Sequence, residues 1–109
     1  MRFALALAAL AVSAPASGLH GTVTRGPVTP VCMEGVPCSA PASHVRIVFA
    51  RTALTRSVVT DADGRFSIRL AAGRWTVRIP GARVFQPRFV TVPRGRLGAV
   101  VIRIDTGIR

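Results

Sequence analysis

The fold is decided by Asp61-Ala62-Asp63-Gly64-Arg65-Phe66-Ser67-Ile68-Arg69-Leu70-Ala71-Ala72-Gly73-Arg74-Trp75-Thr76-Val77-Arg78-Ile79. Phe66, Ile68 and Leu70 alternate with Arg65, Ser67 and Arg69. Trp75, Val77 and Ile79 alternate with Arg74, Thr76 and Arg78. Side chains of a strand point to opposite faces at every second residue, so this period is that of two half-buried strands. Asp61-Ala62-Asp63-Gly64 places Asp first and Gly last, the preference of a type I turn, with Asp61 expected to cap backbone amides. Ala71-Ala72-Gly73 makes a second break, so Asp61, Asp63, Gly64 and Gly73 are read as turn residues. The short link between the strands predicts that they are hairpin neighbours.

The same alternation recurs on both sides of this stretch. Leu19, Gly21 and Val23 alternate with His20, Thr22 and Thr24; Val45, Ile47 and Phe49 alternate with Arg46 and Val48. Arg56 to Thr60 and Phe89 to Val92 read as further strands. Val100, Ile102 and Ile104 alternate with Val101 and Arg103. No segment sustains a 3.6-residue period. The expectation is therefore an all-β, seven-stranded antiparallel Greek-key sandwich, transthyretin-like or immunoglobulin-like in plan. Residues 26–43 break the pattern with Pro27, Pro30, Pro37 and Pro41 and read as an ordered loop.

Thr60-Asp61-Ala62-Asp63-Gly64-Arg65-Phe66, followed by Leu70-Ala71-Ala72-Gly73-Arg74-Trp75-Thr76-Val77, resembles the carboxypeptidase regulatory-like domain. That family pairs a Thr-Asp-x-x-Gly-x-Phe turn with a Leu-x-x-Gly-x-Tyr-x-Val turn. Gly21-Thr22-Val23-Thr24 is similar to its opening strand, and Val45-Arg46-Ile47 to the next. Trp75 stands where the pattern has Tyr, and the loop after the first strand departs from it. The resemblance spans roughly residues 19 to 92. It implies a transthyretin-like sandwich and a non-catalytic accessory role. Gly26 to Cys32, with the closing Asp105-Thr106-Gly107-Ile108-Arg109, resembles small exported proteins of actinobacterial type.

The first residues read as an export signal. Arg2 is followed by an uncharged apolar run from Phe3 to Val12 and then by Ala14-Pro15-Ala16. A run of ten residues is too short for a bilayer, which needs about 20. We expect a signal peptide over 1–16 and one domain over 17–109, in a secreted or envelope-associated protein with no transmembrane segment in the mature chain. An oxidising compartment in turn makes Cys32 and Cys38, the chain's two cysteines, a disulfide. Closing a seven-residue ring contributes about 2.4 kcal/mol by loop entropy.

Composition excludes several chemistries. The 15 basic residues are all arginine and stand against four acids, for a formal charge of +11, or +10 without Arg2. With no Lys, the chain cannot form a Lys-based isopeptide bond; with no Tyr, it lacks a residue of the transthyretin-like hydrolase signature. Calcium needs six to eight oxygen ligands, too many for four scattered acids. A redox pair would favour Cys-x-x-Cys, and zinc would need four ligands. No catalytic constellation is visible, and no cofactor is expected. Trp75 shares parity with Val77 and Ile79 and is expected in the core, whereas Phe85 and Phe89 are the better exposed aromatics. Low aromatic content, no recognition helix and dispersed arginines argue against nucleic acid.

Arg65, Arg69, Arg74 and Arg78 share outward parity and form the candidate anion-binding face, with Arg46 and Arg103 of the same parity on their own strands. A solvated basic face that only aids solubility is the plain alternative. Two functions follow. One is a non-catalytic binding or structural module at the cell envelope, meeting an anionic wall polymer or another exported protein through an arginine face. The other is a small transthyretin-like enzyme or ligand carrier with a site at His20 or His44.

Overall fold

In the computed structural model, residues 16–107 are described, so the expected leader lies, apart from Ala16, outside them. Nine strands run through the described residues: β1 (Gly18–Gly26), β2 (Ala40–Pro41), β3 (Arg46–Arg51), β4 (Leu54–Val59), β5 (Arg65–Arg69), β6 (Gly73–Arg78), β7 (Val84–Gln86), β8 (Phe89–Val92) and β9 (Leu97–Asp105). The all-β expectation holds; the count of seven does not. β2 and β7 are the additions. They are two and three residues long, too short to display alternation, and each sits beside or contains a proline.

The strands form two sheets. The first, sheet A, runs β2-β1-β9-β7, and β5 also pairs with β1. β5 lies antiparallel along Gly18–Thr22, and β2 along Thr24 and Arg25, on the same side of β1. The second, sheet B, runs β4-β3-β6-β8 and is antiparallel throughout. The expected purely antiparallel order fails at one place. β1 and β9 pair in parallel over their whole length, from Gly18 opposite Leu97 to Gly26 opposite Asp105.

The alternating apolar residues meet between the sheets. Leu19, Val23, Phe66, Ile68 and Ile102 of sheet A face Ile47, Phe49, Trp75, Val77, Val90 and Val92 of sheet B, all buried. The Phe49 and Phe66 rings, 6.2 Å apart, join the two layers. Trp75 is 1% exposed, as its parity predicted. Its indole Nε1 donates to the Ala71 carbonyl at 2.9 Å. The Arg51 guanidinium lies 5.2 Å from its ring centroid and donates through Nη1 to the Ala72 carbonyl at 3.0 Å. These contacts close one end of the core and fix the 71–73 segment. Phe85 departs from expectation: it is 7% exposed, because β7 turns it inward, while Phe89 is 53% exposed.

A buried hydroxyl organises the corner that leads from sheet B to sheet A. Thr60 follows β4, and its Oγ1 donates to the Ala42 carbonyl at 2.6 Å and accepts the Val45 amide at 2.8 Å. Two backbone groups that would otherwise lose water are thus satisfied in the interior.

Candidate functional site

The connection at 71–73 decides where the arginines lie. A hairpin would have kept β5 and β6 in one sheet, but β5 pairs with β1 in sheet A and β6 with β3 and β8 in sheet B. Both strands turn their apolar residues inward from opposite layers. The single face expected of Arg65, Arg69, Arg74 and Arg78 is therefore divided: Arg65 and Arg69 stand on the outside of sheet A, Arg74 and Arg78 on the outside of sheet B. Alternation tells which side of a strand is apolar, and it is silent on which sheet the strand joins.

Sheet B presents the more coherent basic surface. Arg46, Arg74 and Arg78 all point outward and are exposed. Arg78 lies opposite Val48, which makes Arg46 its diagonal neighbour on β3, about 7–8 Å away at the backbone. Arg74 follows four residues along the same strand, about 13 Å from Arg78. The Arg74 guanidinium covers the exposed Phe89 ring at 4.4 Å, so one cation is held against an aromatic surface. Thr55, Ser57, Thr76 and Thr91 fill much of the rest of the face. No carboxylate belongs to it: Glu34 is in the disulfide loop, Asp61 and Asp63 are in the β4–β5 turn, and Asp105 ends β9. The positive charge of this face is therefore not neutralised within it.

Sheet A carries a different surface. Arg65 and Arg69 flank Ser67 on β5, and Arg103 projects from β9, two strands away. At the far end of the sheet a groove of about 640 Å³ is lined by Thr24, Pro27, Ser39, Gln86, Val101 and Arg103, among others. The loop at 26–40 forms one wall. Cys32 and Cys38 stand within disulfide reach there, with Cα atoms 5.3 Å apart. Val28 N donates to Cys38 O at 2.8 Å across the loop, and Thr106 Oγ1, donating to Pro27 O at 2.6 Å, ties the loop to the body.

The two histidines are not brought together. His20 is exposed on the outer side of β1, and His44 lies in the turn before β3. Neither lines the groove. Among the described residues no three His, Cys, Asp or Glu side chains gather closely enough to hold a metal ion. No helix among them is long and apolar enough to cross a membrane.

Asp61 occupies the turn as a backbone acceptor. Its Oδ1 receives the Asp63 amide at 2.8 Å and the Arg65 amide at 2.9 Å. Gly64 takes a φ of 77°, and a side chain there would meet the Val23 carbonyl at 2.5 Å, so the turn admits only glycine without rearrangement. The Arg65 amide bond, with help from the Asp63 amide and the nearby Arg65 and His44 charges, lowers the Asp61 pKa below its ordinary 3.8. A lowered folded-state pKa stabilises the fold above the ordinary value, and the contribution fades as pH falls through the lowered one. Asp61→Ala is therefore expected to reduce thermal stability at neutral pH, with the gap to the parent protein narrowing below about pH 4. Melting curves of both proteins between pH 2 and 7 check this; a gap that stays constant would show that the carboxylate charge is not involved.

Comparison with family models, with curated proteins and with solved structures finds no match to this chain.

Proposed function

We propose that this chain is a non-catalytic secreted module at the cell envelope and that it grips an anionic wall polymer through the outer face of sheet B. The carrying observation is Arg46, Arg74 and Arg78 on a face that holds no carboxylate, with Arg74 laid over Phe89. Like charges gathered on one sheet face repel, and a polyanion laid across them relieves that cost. Strand hydroxyls offer hydrogen bonds between the charged points. In this reading the domain is a carboxypeptidase regulatory-like, transthyretin-like Greek-key sandwich. The turn motifs at 60–66 and 70–77 support that assignment, and so does the two-sheet architecture. The N-terminal run at 3–12 and the Cys32–Cys38 pair support export.

The test is cosedimentation with isolated cell walls, with anionic liposomes and with neutral polysaccharide in parallel, across a salt series. Retention on walls is expected and should fade as salt screens the charges. Replacing Arg46, Arg74 and Arg78 together by serine is expected to weaken retention about tenfold, taking roughly 0.5 kcal/mol per exposed ionic contact. Replacing Arg65 and Arg69 by serine should change it little. Equal losses from both variants would point to net charge rather than a defined face. No retention on any anionic surface would overturn the reading and direct the search to a protein partner.

A further inference from the structure

The free edge of β4 is the longest of the sheet edges. Natural edges are blunted by brevity, proline or outward charge. β2 is two residues long and contains Pro41; β7 has three residues and stops at Pro87. β8 is four residues long and bounded by Pro93, and β5 turns Arg65 and Arg69 outward. β4, the longest free edge, is six residues, Leu-Thr-Arg-Ser-Val-Val, with no proline, glycine or acid, and its one charge is Arg56 opposite core-facing Phe49. It pairs only with β3.

The phase of the β3–β4 ladder shows which backbone groups remain available. Thr60 N donates to Val45 O at 2.9 Å, which makes that pair a hydrogen-bonded one. Bonded and non-bonded pairs alternate along an antiparallel ladder. Leu54, Arg56 and Val58 therefore turn their amides and carbonyls to β3, while Thr55, Ser57 and Val59 turn theirs to the open side. These three residues are exposed, and no described hydrogen bond outside the ladder reaches them.

We propose that β4 pairs antiparallel with β4 of a second copy about a two-fold axis at Ser57. Of the registers that keep matching faces together, three pair most of the strand. An axis at Arg56 sets that cation against the partner's Arg56 and leaves Val59 unpaired. An axis at Val58 leaves Thr55 unpaired. An axis at Ser57 joins Ser57 to the partner's Ser57 and Thr55 to the partner's Val59, with the reciprocal pair. Every outward amide and carbonyl is then used, in about six hydrogen bonds, and Arg56 meets the partner's Val58. The edge is thus self-complementary in backbone bonding, as an isologous contact requires, and the two Arg56 side chains are offset diagonally rather than set directly opposite.

The axis stands perpendicular to the sheet, so both copies of sheet B face the same way. Arg46, Arg74 and Arg78 of the two copies then share one surface, and an extended polyanion could engage both with the gain of a linked second site. The pairing itself does not rest on the anion reading. A strand-to-strand contact is smaller than a standard interface, and each copy carries a formal charge of +11, so the association is weak and opposed by repulsion. Salt should strengthen it, the reverse of its effect on polyanion retention.

Sedimentation equilibrium of the purified protein up to about 1 mM, at low and high salt and without any polyanion, tests the pairing. Dimer is expected to grow with concentration and with salt. Ser57→Pro removes an outward amide and spares the β3 ladder, so it should keep the melting temperature and weaken association at least tenfold. Ser57→Lys keeps the amide, sets like charges on the axis and should do the same. Monomer throughout the range, or parent-like association of both variants, overturns the proposal.

Discussion

Gly21→Ala is expected to disrupt the protein more than any other single-methyl addition in β1. Gly21 pairs with Val100 in the middle of the parallel β1–β9 ladder. A Cβ built there would lie 1.8 Å from the Val100 carbonyl oxygen and 2.8 Å from its carbon. These are backbone atoms, so no rotamer change relieves the clash; one of the two central strands of sheet A must move. Overpacking a core side chain costs about 1–3 kcal/mol, and displacing a ladder belongs at or above the top of that range. A loss of about 3 kcal/mol lowers the melting temperature of a domain this size by roughly 15 °C or more. Gly35→Ala is the control. Gly35, unlike Gly21, has a positive φ, 79°, and nothing lies within 4 Å of its added carbon, so only the backbone cost of about 1–2 kcal/mol applies. Thermal melts of the two variants should differ clearly. Equal shifts would mean that β1 and β9 do not approach as closely as described.

Trp75→Ala is expected to cost about 3–5 kcal/mol. The indole is 1% exposed, it is among the largest fully buried side chains, and its removal leaves a cavity between the sheets. Two further contacts go with it. The Ala71 carbonyl loses its Nε1 donor, and the Arg51 guanidinium loses the ring it covers while keeping its bond to Ala72. Against a typical total of about 5–15 kcal/mol this is a large fraction of the stability. Urea unfolding followed by far-ultraviolet circular dichroism reads the change without relying on the lost fluorophore. Trp75→Phe should fall between the two proteins, since it refills part of the volume and restores no hydrogen bond. A loss under about 1 kcal/mol for the alanine variant would contradict the buried placement.

The inward residues were legible in the sequence because each strand there has one wet side and one dry side. Phe66, Ile68 and Leu70, then Trp75, Val77 and Ile79, are all buried, and the arginines between them are exposed. The sheet each strand joins was not legible. The 71–73 link is as short as a hairpin loop, but the Trp75 and Arg51 bonds to its carbonyls hold it as a crossing between layers. The Arg51 bond reaches Ala72, 21 positions away, and no local pattern records it. The same limit hid the parallel β1–β9 pair, whose partners lie nearly 80 positions apart. It also divided the candidate anion face: the parity of each arginine was right, and grouping Arg65 with Arg74 assumed a neighbourhood that only the tertiary structure could supply. Gly21 held a partial signal. A glycine on the apolar side of an alternating strand suggests close approach of another backbone, though not which one.

The β1–β9 ladder also governs when this chain can fold. β1 emerges first from the ribosome and β9 last, yet they are adjacent and form the middle of sheet A. Until residues 97–105 are available, β1 has one whole side without a partner, and Leu19 and Val23 cannot be enclosed together with Ile102. Early closure around a local nucleus is thereby denied to sheet A, and the search for the last strand spans nearly the entire chain. Topologies of this kind fold on millisecond-to-second timescales rather than microseconds. On the export route proposed above, that delay would be an advantage at a narrow translocation channel, because a chain that cannot complete its centre prematurely stays extended long enough to pass.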